Sequence, residues 1–107
     1  MIEIEKIQNE IVERLKPLEP EKIILFGSYV NGNANEDSDI DLFLVKDTGQ
    51  SQKSRYEVDA MMRLRDLIRK YNVGFDILSA SQAFLDSRDD YFYKVDVLAN
   101  GKVIYAK

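Results

Sequence analysis

Gly27-Ser28 close a short apolar run, Asp39-Ile40-Asp41 follow after ten intervening residues, and a third carboxylate, Asp76, sits inside a later apolar run. These types in this order suit the handling of a phosphorylated ligand with hard cations. Glycine at a strand end lacks a Cβ, so it can take a positive φ and let a phosphate come close to the backbone. Ser28 adds a hydroxyl and an amide, and a helical turn starting there would present N–H groups to an anion. Asp39 and Asp41, two apart on a strand, leave the same face with roughly 6 to 7 Å of strand rise between them. Mg²⁺ takes oxygen ligands and is usually held by one or two carboxylates together with phosphate oxygens and water. Asp76 is surrounded by Val73, Phe75, Ile77 and Leu78. It is expected in a buried strand, where a carboxylate is costly unless something such as a metal compensates it.

Taken singly, each piece has an ordinary reading. Gly-Ser after a strand can be a turn, Asn31-Gly32 a hairpin signal, and Asp41 or Asp76 a solvent-facing strand residue. The combination in this order is what points to a site. Other phosphate motifs fail: no Lys follows Gly32, as a P-loop needs, and no GxGxxG is present. Asn33, Asn35 and Asp37 alternate like an EF-hand loop, but the Gly and closing Glu are misplaced, leaving a solvated turn.

The elements that must position these residues can be read from periodicity. Ile4, Ile7, Ile11, Leu15 and Leu18 mark an amphipathic helix that Pro17 and Pro20 help to end. Lys22 to Phe26 reads as the first strand, Gly27 to Ser38 as a loop with a brief helical turn after Gly27, and Asp39 to Val45 as the second strand. In that strand Ile40, Leu42 and Leu44 face one way and Asp39, Asp41 and Phe43 the other. A second polar loop covers 46–54. The spacing of Met61, Leu64, Ile68 and Tyr71 predicts one helix between Arg55 and Tyr71, and Val73 to Ser79 predicts a third strand. From Ser81 a helix is expected through Tyr91, Phe92, Val95, Leu98 and Ala99, stopped by Asn100-Gly101, with Lys102 to Tyr105 as a last strand. The expectation is one α/β domain over residues 1–107.

The composition narrows the chemistry. With 107 residues, no His and no Cys, the chain cannot build thiol nucleophiles, His bases, Ser-His-Asp triads or Cys/His zinc sites. A net charge of -4 disfavours direct nucleic-acid binding, and a polyphosphate would need divalent cations to offset repulsion. No apolar run approaches the ~20 residues of a membrane span, and no leader segment stands out, so no membrane role and a cytoplasmic location are expected. The absence of Cys agrees with a reducing compartment.

On Gly27-Ser28, the ten-residue spacer, Asp39-Ile40-Asp41 and the later Asp76, the sequence resembles the minimal nucleotidyltransferases of the DNA polymerase β superfamily. The resemblance is strongest from Lys22 to Ser79. It implies an α/β (α+β) nucleotidyltransferase fold, a small mixed sheet with helices packed mainly on one face. It also implies that Asp39, Asp41 and Asp76 bind Mg²⁺, two ions in all, that Gly27 and Ser28 hold the phosphates of ATP, and that Asp76 helps to deprotonate the attacking hydroxyl. Many relatives carry Arg before the second Gly where this chain has Asn31, which leaves less positive charge for the phosphates. Many minimal members resemble antitoxins paired with a HEPN-domain ribonuclease toxin, and move AMP from ATP onto a toxin tyrosine. The implied function is thus a protein adenylyltransferase antitoxin in a hetero-oligomer with its toxin. Two alternatives are an antitoxin that acts by binding alone, through surface aromatics such as Tyr91, Tyr93 and Phe84, and a small-molecule nucleotidyltransferase.

Overall fold

A computed structural model describes residues 3–107. Helix α1 (Ile4–Leu15) buries Ile7, Ile11 and Leu15, then tightens into a 3₁₀ turn at Lys16–Leu18 around Pro17. Strand β1 (Lys22–Phe26) leads through Gly27 into the single turn α2 (Ser28–Asn31), and β2 spans Ile40–Val45. A 3₁₀ turn at Gln50–Gln52 precedes α3 (Lys53–Arg63), α4 (Arg65–Tyr71) and β3 (Phe75–Ala80). The chain ends with α5 (Gln82–Ser87), a π-helical segment Phe92–Ala99 and β4 (Lys102–Ala106).

The four strands form one mixed sheet in the order β3-β2-β1-β4. β1 runs antiparallel to β2 and β4, and β2 pairs parallel with β3, the crossover being made by α3 and α4. The larger core lies on the face carrying Ile23, Leu25, Ile40, Leu42, Leu44 and Phe75, which α1, α3 and α4 cover. Arg14 on α1 donates to both carboxylate oxygens of Asp66 on α4, and Lys70 pairs with Glu10 at 2.8 Å, so the two helices are pinned at their solvent edge. The opposite face carries a smaller cluster of Ile24, Phe26, Phe43 and Val45 beneath Leu85 and Val97.

Two helices differ from expectation. The predicted helix from Arg55 to Tyr71 breaks at Leu64, whose φ of -95° and ψ of 0° end α3. The Leu64 N–H bonds to the Met61 carbonyl and the Leu67 N–H to that of Leu64, both three-residue steps. Such steps stack i and i+3 side chains over one another, which lets Leu64 and Leu67 both point fully into the core. The predicted helix from Ser81 also breaks, with Arg88 extended between α5 and the π-helical segment. In one helix Phe84 and Tyr93 would be separated by about 13 to 14 Å along the axis. Here their rings meet edge to face at 5.3 Å, because the chain turns back to lay both on the sheet.

Candidate active site

Strand pairing gathers the acidic residues. In the parallel ladder Asp41 stands directly beside Asp76, so both carboxyl groups leave the sheet on the same face from strands about 4.8 Å apart. On its other side Asp41 pairs with Phe26, so Gly27 comes next to it where β1 ends. Gly27 adopts φ 78°, ψ -150°, a conformation other residues rarely take, and a Cβ there would overlap Asp41 Oδ2. The glycine therefore serves two needs, the turn into α2 and room for the Asp41 carboxylate. Ser28 opens α2, whose turn is closed by bonds from the Val30 and Asn31 amides to the Gly27 carbonyl, 3.0 Å each. This is the helical turn the sequence suggested after Gly27.

The ten-residue spacer is shaped by its own polar side chains. Asn35 Oδ1 accepts from the Asp37 amide at 2.8 Å, and Ser38 Oγ accepts from the Asn35 amide at 2.9 Å. This Asx turn leads the chain into β2. Asp39 lies just ahead of β2, where the Ile40 amide bonds to the Gly74 carbonyl at 2.9 Å, and its carboxylate rests against Gly74.

The expectation that Asp76 is buried is not met: it is exposed, as is Leu78 two residues on. The reason is topological, since β3 is an edge strand and the smaller cluster is centred on β1 and β2. Desolvation falls instead on half-buried Asp41, whose carboxyl is pushed up to about 6, first by burial and then by Asp76, which repels it and is close enough to hydrogen-bond, with a further contribution from Asp39. Among the described residues none of the ion pairs involves Asp39, Asp41 or Asp76. The site is an uncompensated concentration of negative charge.

The structure brings Asp41 and Asp76 together directly and sets Asp39 beside them on the Gly74 backbone. Among the described residues, no three acidic side chains stand as they are in an arrangement that could hold one metal ion. The donor set itself fits a hard divalent cation, being all carboxylate oxygen, lacking a protein counter-charge and including one desolvated member. Ions of this kind commonly complete their shell with water and phosphate. Sequence reasoning did not single out Gly74; the available signal was its place two residues before Asp76, on the same side of the strand.

A separate cavity of about 240 Å³, lined among others by Lys46, Lys53, Ser81 and Phe84, opens at the far ends of β2 and β3 and touches none of these acids. Of the aromatics expected at the surface, Tyr91 is 70% exposed, but Phe84 and Tyr93 are partly buried in an edge-to-face cluster with Phe43 and Phe92. Among the described residues no helix is long and apolar enough to cross a membrane.

Residues 5–107 match the family model described as polymerase beta, nucleotidyltransferase. A Methanocaldococcus jannaschii protein named as a protein adenylyltransferase is 33% identical over 104 residues, covering 94% of this chain and 97% of that one. In fold, the chain is similar to one from a toxin–antitoxin crystal structure with AMP-PNP (TM-score 0.60, 21% identity, 94% of this chain and 73% of that chain). It is also similar to one from a complex of tri-AMPylated Shewanella oneidensis HEPN toxin with its MNT antitoxin (TM-score 0.54, 18% identity, 98% and 74%). A nucleotidyltransferase structure from Sulfolobus solfataricus aligns at TM-score 0.53 with 23% identity, over 95% and 79% of the two chains. The mixed sheet, the Gly27-Ser28 turn beside paired acids and the match along nearly the whole length agree, and the chain is a nucleotidyltransferase of the polymerase beta family.

Proposed function

We propose that this nucleotidyltransferase moves AMP from ATP to a protein hydroxyl, the acceptor being a tyrosine of a HEPN-domain toxin that the chain silences as antitoxin in the cytoplasm. The observation that carries the reading is the in-register Asp41–Asp76 pair beside the Gly27-Ser28 turn. The full-length relative named as a protein adenylyltransferase supports protein as the acceptor. The fold shared with chains of a toxin–antitoxin structure holding AMP-PNP and of a complex containing an AMPylated toxin supports the partner class.

Asp39, Asp41 and Asp76 would hold Mg²⁺, two ions in the full site, which supply Lewis-acid stabilisation of charge on the phosphates. Gly27, which abuts the Asp41 carboxylate, and Ser28 after it would hold the phosphates of ATP. Asp76, exposed on the edge strand, is reachable by a hydroxyl carried on another protein and accepts its proton. The hydroxyl oxygen bonds to the α-phosphorus, the bond from that phosphorus to the bridging oxygen breaks, and pyrophosphate leaves in line.

Incubation of the chain with its HEPN partner, ATP and Mg²⁺, followed by intact mass measurement, tests this reading. Added adenylyl mass on the partner, abolished by Asp39→Asn with Asp41→Asn, is expected; an unmodified partner overturns it. A second reading, neutralisation by binding alone, draws on exposed Asn31 at the end of α2, where the many relatives with Arg have a positive charge. It predicts that the double variant still neutralises the partner at equal stoichiometry.

A further inference from the structure

We propose that Gly74 is a positioning residue of the acidic site, its missing side chain being the space in which the Asp39 carboxylate lies. The inference rests on the reading of Asp39 as a metal ligand. The pairing of Ile40 with Phe75 and of Asp41 with Asp76 sets the residues on either side in order: Asp41 has an acid beside it, and Asp39 has a gap. The bond from the Ile40 amide to the Gly74 carbonyl fixes the two backbones side by side at that point. A Cβ on Gly74 would overlap Asp39 Oδ1 and stand 3.1 Å from its Cγ.

Conformation is not what this position demands. Gly27, Gly32 and Gly49 have positive φ, and Gly74 does not, so alanine could take its backbone conformation. The only near obstacle to a methyl group is the end of a short side chain that can rotate. The fold can therefore accept Gly74→Ala by moving Asp39, and the cost falls on the site. Gly27 offers no such separation, since replacing it strains the backbone as well.

The test is calorimetric titration of Mn²⁺ onto the full chain in four forms: unmodified, Gly74→Ala, Asp39→Ala and the double variant. Gly74→Ala is expected to weaken Mn²⁺ binding by about ten- to a hundredfold, the range seen when groups that orient metal ligands are lost. Added to Asp39→Ala, it is expected to change nothing further, because the residue acts through Asp39. If Gly74→Ala lowers the melting temperature, Asp39→Ala is expected to restore it by clearing the space. Unaltered binding by Gly74→Ala, an equal loss in both backgrounds, or a destabilisation that persists in the double variant overturns the inference alone. An unmodified chain that takes no Mn²⁺ overturns the metal reading beneath it, and the inference with it.

Discussion

Asp41 and Asp76 stand beside each other on adjacent parallel strands, and only the inner one is desolvated. Asp41 is hemmed in by Phe26 at the end of β1 and by Gly27 just beyond it, while Asp76 looks out from the edge strand. Two chemically identical groups thus have different environments, one whose charge is disfavoured unless a cation offsets it and the other open to a second molecule. This difference, rather than the count of carboxylates, is what the sheet contributes to the site.

The raised Asp41 value makes stability depend on pH with a definite sign. The folded chain holds the proton up to about pH 6, whereas an unfolded aspartate releases it near its ordinary 3.8, so folding favours the protonated form. This contribution is fully present below the unfolded value and lost as pH rises through about 6. In metal-free buffer, the melting temperature of Asp41→Asn relative to the unmodified chain is expected to rise between pH 4 and pH 8. A difference that stays constant across that interval contradicts the assignment.

Divalent cations should reverse that loss. Neutralising the acidic pair is expected to stabilise the folded chain more at pH 8, where Asp41 is charged, than at pH 5, where protons compete for the same oxygens. Thermal melts with Mg²⁺ and with a chelator at the two pH values check this, and an equal shift at both would argue against an ion on this pair.

Gly27→Ala should damage fold and site together. Its φ of 78° with ψ of -150° is a region essentially reserved for glycine and costs about 1 to 3 kcal/mol for a residue with a Cβ, and that atom would displace the Asp41 carboxylate. A drop in melting temperature of about 4 to 24 °C is expected for a domain of this size, with adenylyl transfer lost. Measured transfer at the unmodified rate would show that Asp41 need not sit where it does.

Phe43 lies two residues beyond Asp41 on the same face and is 1% exposed, meeting Phe26 and Tyr93 edge to face. Phe43→Ala is expected to cost about 3 to 5 kcal/mol, read from denaturant unfolding, because the cavity opens in the cluster on which Leu85 of α5 and Val97 of the π-helical segment are seated. A cost below about 1 kcal/mol would mean that this smaller cluster does not hold the second face.

The strands were readable because short apolar runs between polar loops leave few alternatives, and Lys22–Phe26 matches its expected limits. The break at Leu64 was not, since the helical period of apolar residues continues straight across it. The turn between α5 and the following segment was hidden for a similar reason, being dictated by contacts between rings far apart along the chain. In the site, the order Gly-Ser, paired acids, later acid was plain in the sequence. Which acid is desolvated was not: the apolar neighbours of Asp76 suggested burial, but an edge strand with one open face exposes it and leaves Asp41 to bear the cost. The role of Gly74 needs the register, which no local pattern specifies.

The most direct measurement is the intact mass of a HEPN partner after incubation with ATP and Mg²⁺, using the unmodified chain and Asp76→Asn side by side. One or more adenylyl groups on the partner with the first, and none with the second although it remains folded and still binds the partner, is the predicted result. Equal modification by both chains would contradict the role given to the exposed acid, and an unmodified partner in both would contradict adenylyl transfer itself.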